Sequence, residues 1–216
     1  REGEFKFITQ SLPRLDAAEK VNGAGVFGID IFVPGMLYAA VARPPAFGAK
    51  PKAYDRDAAE KVSGVFKVVP IDRGIVVCAN APEAAQKGRD ALRVNWGPGA
   101  DPEMGNESLE KVFLQHLNRK GVTAKNQGNA VKALSEAAKK VEATYVLPYL
   151  AHATMEPMNC TAHVQKDRCD IWVPTQSQTG VFLTAQRVSG LKPEQVHVHT
   201  TYLGGGFGRR GETDVV

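Results

Sequence analysis

Tyr202-Leu203-Gly204-Gly205-Gly206-Phe207-Gly208-Arg209-Arg210 is the stretch around which the rest of the chain is arranged. It follows Val196-His197-Val198-His199-Thr200-Thr201, whose apolar–polar alternation predicts a β-strand. Four glycines in five positions, Gly204 to Gly208, are costly, because glycine loses more backbone freedom on folding than any other residue. Ordinary turns need one or two. Such a run is kept where a backbone bends tightly or lies against a ligand. Successive glycine N–H groups form an anion-binding concavity, and arginines at its exit, here Arg209 and Arg210, suit bidentate capture of phosphate oxygens. Phe207, alone among residues without side chains, projects into whatever the loop faces. The plainer alternative is a tight turn between strands with surface arginines. The run favours a loop for an anionic, phosphate-bearing cofactor.

Working outward, Pro174-Thr175-Gln176-Ser177-Gln178-Thr179 is a polar loop leading into a helix with Val181, Phe182, Ala185 and Val188 on its apolar face. Gly190, Leu191 and Pro193 form a helix stop. A strand–loop–helix–strand–loop order sets Gln176 and Gly205 to Gly208 at ends of neighbouring elements, where ligand sites are commonly built. Thr161 to Gln165 and Asp170 to Val173 predict a hairpin, and Glu142 to Leu147 a further strand. Gly206-Phe207-Gly208-Arg209-Arg210-Gly211 formally satisfies G-x-G-x-x-G, but a dinucleotide site also needs a helix opening within it and an acidic residue farther on. His152, Glu156, His197 and His199 lack the helical spacing of a metal site, and Cys160 and Ser177 lack a nucleophile signature.

The first half is quieter. Val26 to Val33 and Met36 to Ala42 predict a hairpin around Pro34-Gly35, and Val65 to Pro70 and Ile75 to Ala79 two more strands. Short helices are expected after Asp57 and Pro82, with a strand from Leu92 to Trp96. Gly97-Pro98-Gly99-Ala100-Asp101-Pro102 marks a boundary, followed by helices around Leu109–Leu117 and Val131–Lys140. The expected fold class is α+β: a lead-in at 1–16, a compact unit at 17–97, a helical linker region at 98–140 and a ligand-binding region at 141–216. The 216 residues, 43% hydrophobic and 23% charged with net charge +4, fit a globular chain and carry no basic block for nucleic acid. No apolar run is long enough for a membrane span. Cys78, Cys160 and Cys169 read as thiols rather than a disulfide framework or iron–sulfur site, although Cys160 and Cys169 could pair on neighbouring strands. Opening on Arg1 and closing at Val216 just past the glycine loop, the chain reads as a piece of a longer protein.

Three stretches together resemble the large subunit of molybdenum hydroxylases, the xanthine oxidase and aldehyde oxidase family, and within it the isoquinoline oxidoreductase beta-subunit branch. They are His152-Ala153-Thr154-Met155-Glu156-Pro157-Met158-Asn159-Cys160-Thr161-Ala162, Pro174-Thr175-Gln176, and Leu203 to Arg210. Residues 17–97, with Gly28-Ile29-Asp30, Pro34-Gly35-Met36-Leu37 and Gly88-Arg89-Asp90-Ala91-Leu92, are similar to that family's a/b hammerhead domain, and 141–216 to the first part of its molybdopterin-binding domain. The resemblance implies a molybdopterin cofactor, in bacterial members usually the cytosine dinucleotide. It implies that Gln176, Gly205, Gly206, Phe207, Gly208 and Arg209 bind it, the glutamine through its amide, and that none ligates the metal. It also implies water-dependent hydroxylation of an aldehyde or an N-heterocyclic aromatic, with electrons leaving through an iron–sulfur subunit or domain. The compartment stays open between bacterial cytoplasm and periplasm. Where the xanthine oxidase branch continues with Gly-Lys-Glu, this chain has Arg209, Arg210 and Gly211, with Glu212 one place later, so no substrate role passes to Glu212. The family's base, a glutamate in a late Gly-Glu motif, has no counterpart among these residues. No catalytic residue is therefore expected here, and the 216 residues alone are expected neither to retain the cofactor nor to turn over. The alternative is a non-catalytic domain binding a nucleotide or a partner.

Overall fold

Alternating apolar residues separated by Gly/Pro breaks give this chain two cores. The structure is a computed structural model and describes residues 3, 5–117 and 119–216. It divides into two compact units, Arg1–Pro34 with Leu150–Val216, and Gly35–Tyr149. The boundary expected at 97/98 therefore moves: residues 17–34 group with the C-terminal segment, and 98–149 with the strands before them.

The first unit opens on a short helix, α1 (Ala17–Val21). The second unit begins with β1 (Tyr38–Ala42) and β2 (Pro51–Ala53), then α2 (Arg56–Glu60), capped by the Asp55 carboxylate on the Ala58 N–H at 2.9 Å. The capping residue is thus Asp55 and not Asp57, because its side chain stands three positions before an orphan N–H. Strands β3 (Val65–Ile71) and β4 (Gly74–Ala79) form the expected hairpin, and the sheet order β1-β4-β3 is antiparallel throughout. Helix α3 (Pro82–Ala91) lies on this sheet. A Cβ at Gly88 would come within 2.8 Å of Val65 and Val77 side chains, so the helix approaches as closely as it does only with glycine there. Ala59, Val68, Ile75, Val77 and Leu92 are fully buried between helices and sheet, each large one contributing roughly 1.5–3 kcal/mol. The expected strand from Leu92 shortens to β5 (Asn95–Trp96), which pairs with β2.

Beyond it, α4 (Asn106–Leu117) and α5 (Ala130–Glu136) bury no residue. Glu142 to Leu147, expected as a strand, is irregular and exposed. An extended segment needs a neighbour to take its N–H and C=O groups, and no strand of the described residues pairs with it.

In the first unit, Val26 to Val33 is likewise not a strand but contains a single 3-10 turn, Gly28–Asp30, with one bridge from Phe27 to Tyr202. Asp30 accepts the Phe27 N–H at 3.0 Å, and this local cap overrides the alternation. Strands β6 (Thr161–Val164) and β7 (Cys169–Val173) form the predicted hairpin; α6 (Gln178–Ser189) then crosses over to β8 (Val196–Thr200), parallel to β7. Gly190, in the left-handed conformation at φ 70°, ends α6 as expected. Cys169, Ile171, Val173, Val181, Ala185 and Val196 are its core. This strand–helix–strand unit carries Gln176 at the end of β7 and delivers the glycine loop from β8.

Candidate functional site

An ion pair joins the entrance and the exit of the loop. Glu156 lies on an irregular segment before β6, and its backbone N–H donates to the Gly204 carbonyl at 3.0 Å. Its carboxylate accepts from the Gly204 N–H (2.8 Å) and the Arg210 Nη2 (2.9 Å) on one oxygen, and from the Ile29 N–H (3.1 Å) and Asn159 Nδ2 (2.9 Å) on the other. Arg210, 1% exposed, donates in addition to the carbonyls of Gly205 (2.7 Å), Glu156 (2.8 Å) and Pro174 (3.5 Å). Four donors on one carboxylate and a fully engaged guanidinium are what a buried pair needs to exist. The expectation of two arginines clamping phosphate is corrected here: Arg210 points into the protein.

Arg209 is also committed within the chain. It makes a bidentate pair with Asp214, both contacts 2.8 Å, and that carboxylate raises its pKa. It stays partly exposed beside the loop.

Gln176 meets the loop directly. Its Oε1 accepts the Gly208 N–H at 3.1 Å, and its own N–H reaches the Arg210 carbonyl at 2.9 Å. With the amide oxygen used, the Nε2 donor end is taken up by no protein acceptor among the described residues. A Cβ on Gly206 would lie 2.7 Å from Gln176 Oε1, so the amide and loop pack too closely for any side chain there. Among the described residues, the N–H groups of Gly205, Gly206 and Phe207 donate to no protein acceptor. Phe207 itself is 69% exposed and held at φ 51°. A non-glycine residue in that region stores on the order of 1 kcal/mol or more, a cost usually found at ligand clamps. The residues singled out in the sequence are therefore brought to one place: Gln176, Gly205, Gly206, Phe207 and Gly208 in contact, Arg209 at the edge.

Other candidates fall away. Gly208 leads into one 3-10 turn, Arg209–Gly211, and not an α-helix, so the G-x-G-x-x-G string lacks its dinucleotide context. Glu156 holds Arg210, and His199 donates through Nε2 to the Asp170 carboxylate (2.7 Å) while stacking on Trp172. No three His, Cys, Asp or Glu among the described residues could hold a metal. All three cysteines are free; burial pushes the Cys160 thiol up to about 12, with Cys169 adding to it. Sequence reasoning missed the Glu156–Arg210 pair. Its signal was a lone acid in the apolar Met155-Glu156-Pro157-Met158, since a carboxylate in such surroundings requires a cationic partner.

Residues 114–215 match the family described as molybdopterin cofactor-binding domain. The chain is 30% identical over 222 residues to the isoquinoline 1-oxidoreductase subunit beta of Brevundimonas diminuta, covering 96% of this chain and 28% of that protein. It is also 30% identical over 209 residues to the membrane-bound aldehyde dehydrogenase (pyrroloquinoline-quinone) of Gluconacetobacter polyoxogenes, covering 92% and 27%. Among solved structures, it superimposes on quinoline 2-oxidoreductase from Pseudomonas putida 86 with TM-score 0.66 and 17% identity, over 93% of this chain and 31% of that one. For the aldehyde oxidoreductase of Desulfovibrio gigas the values are 0.68 and 17%, over 93% and 27%. The chain thus spans under a third of the length of these relatives. No helix among the described residues is long and apolar enough to cross a membrane.

Proposed function

We propose, from the match of residues 114–215 to the molybdopterin cofactor-binding domain and the likeness to isoquinoline 1-oxidoreductase subunit beta, that the chain is part of the molybdopterin-binding catalytic subunit of an oxidoreductase hydroxylating aldehydes or N-heterocyclic aromatics with oxygen from water. The observation that carries this is the contact between the Gln176 amide and Gly208, beside the unengaged N–H groups of Gly205, Gly206 and Phe207. The fit to an anionic pterin is chemical: among the described residues the N–H groups of Gly205, Gly206 and Phe207 and the amide nitrogen of Gln176 are donors that no protein acceptor takes up. When bound, molybdopterin would supply two-electron redox chemistry at its metal. The chain's own part is to hold and orient. Gly206 lets the backbone lie against the Gln176 amide, the Gly208 N–H fixes the oxygen end of that amide, and the nitrogen end is left to donate to a ligand oxygen. Phe207 presents an apolar ring where it limits access of water. Arg209, neutralised by Asp214, lines the edge rather than supplying a free cation.

Three finer points complete the reading. The cofactor is the cytosine dinucleotide form, the strands within 17–97 are an a/b hammerhead, and electrons pass to an iron–sulfur subunit or domain. The test uses the full-length polypeptide. Molybdenum near one atom per chain and cytidine monophosphate released on acid hydrolysis are expected, and Gln176→Ala and Phe207→Ala should each lower turnover at least tenfold. Absence of molybdenum, or unchanged rates in both variants, would overturn the proposal. A nucleotide without metal would favour a nucleotide-binding module instead.

A further inference from the structure

The loop and the glutamine come from different parts of the sequence, yet one side chain joins them. Arg210 reaches down from the loop's exit to Glu156, while its own carbonyl accepts the Gln176 N–H at 2.9 Å and the Thr175 hydroxyl at 3.2 Å. Glu156 in turn holds the loop's entrance through Gly204, where a Cβ would lie only 2.3 Å from its own Cβ. The carboxylate therefore fixes both ends of the loop, and the arginine carries that fixation across to the end of β7. Neither residue reaches the exposed face: the side chains are 5% and 0% exposed.

We propose that Glu156 and Arg210 are positioning residues, whose ion pair sets the Gly208–Gln176 contact and with it the direction in which the Gln176 amide donates. The inference rests on the cofactor reading above. The alternative is that the pair contributes stability alone. The two differ in what a neutral replacement restores. A buried pair replaced on both sides by uncharged groups of similar size often recovers stability, whereas removing one partner does not. Glu156→Gln keeps an acceptor for the Gly204, Ile29 or Asn159 donors, and Arg210→Met keeps most of the arginine's volume. In the double variant the core is neutral, but no fork of donors ties Glu156, Gly205 and Pro174 together.

The experiment compares the full-length protein with Arg210→Met and with the Glu156→Gln/Arg210→Met double variant, with Gln176→Ala as control. Three quantities are read: the unfolding midpoint, hydrogen exchange of the Gly208 amide in cofactor-free protein, and molybdenum per chain in protein expressed with the cofactor. For a positioning pair, the double variant regains the unfolding midpoint lost by Arg210→Met, yet its Gly208 amide exchanges at least tenfold faster than wild type and its molybdenum content falls at least threefold. Recovery of all three would overturn the inference and leave a purely structural pair. If the double variant fails to fold, Arg210→Lys serves, keeping the charge but not the fork: a wild-type Gly208 exchange rate there would equally overturn it. Failure of the cofactor reading is distinguishable, since Gln176→Ala would then leave molybdenum content unchanged while the exchange result stands by itself.

Discussion

Two irregular segments meet at Tyr149–Leu150, and they are built in opposite ways. Residues 150–160 have no regular structure, yet Glu156 is buried and its carboxylate receives four donors. Residues 137–149 are equally irregular, but Val141, Tyr145, Leu147 and Tyr149 are 88%, 85%, 84% and 72% exposed. Together with Leu109, Phe113, Leu114 and Leu117 of α4, residues 144–149 line an open apolar groove. Both segments fall inside the 114–215 family match. The comparison shows that irregular backbone becomes fixed by polar anchoring from within, and that an apolar pattern alone does not order a segment. The glycine loop is anchored in the first manner. The second segment carries the pattern of a strand, but no strand among the described residues takes up its backbone groups.

The sharpest way to break this contrast is to remove the anchor. Arg210→Met leaves the Glu156 carboxylate buried without its cation, and the expected cost is about 3–5 kcal/mol. Trp172 lies on β7 of the affected unit and Trp96 on β5 of the other, so single-tryptophan urea unfolding separates the two. The loss should register at Trp172 and leave Trp96 in place. A smaller effect is expected from Gly204→Ala. The new methyl would overlap the Glu156 Cβ at 2.3 Å, and overpacking of that kind costs typically about 1–3 kcal/mol. An unchanged Trp172 transition in Gly204→Ala would mean that Glu156 can move without loss, and that the loop is not anchored there.

Why some of this was legible in the sequence and some not follows from the range of the forces involved. Val196 to Thr200, the β3–β4 hairpin and the Gly190 stop are local signals, carried by period and by single residues, and they are realised as read. The convergence of Gln176 with Gly206 and Gly208 followed from element order, because a β–α–β crossover returns to the end of the first strand. Glu156 and Arg210 stand 54 positions apart, and nothing in their spacing links them. Arg210 next to Arg209 looked like one of two equivalent cations, when tertiary contacts send one inward and pair the other with Asp214. Val26 to Val33 alternated convincingly, but Gly28 lies where a Cβ would come within 2.4 Å of Pro174, and a turn is what fits.

A milder perturbation tests the sheet that carries the loop. Arg168 and, less strongly, His199 hold the Asp170 carboxyl well below the usual carboxylate range. A depressed folded pKa contributes stability that is complete above the unfolded value, near 3.9, and is lost as pH falls below it. Asp170→Asn should therefore be less stable than wild type at pH 7, by about 1 kcal/mol or less because Arg168 is half exposed. The gap should close as pH drops below about 4. A gap that widens in acid would show that the pair destabilises the folded sheet.

The smallest effect is expected from the bare segment. Tyr145→Ser and Leu147→Ser delete large apolar groups that are 85% and 84% exposed in this chain. Side chains already in water lose almost nothing on truncation, so each change should stay within about 0.5 kcal/mol at both tryptophan reporters. The same substitutions on a packed strand would cost several times more, since each buried apolar side chain of this size contributes about 1.5–3 kcal/mol. Measured in the 216-residue chain and again in the full-length protein, the pair of variants decides between two states of the segment. Small losses in both would mean that residues 141–149 remain solvated wherever they occur. Small losses here with large ones there would mean that the alternation is written for a strand partner the isolated chain does not supply, which makes the contrast with Glu156 one of where the anchor comes from.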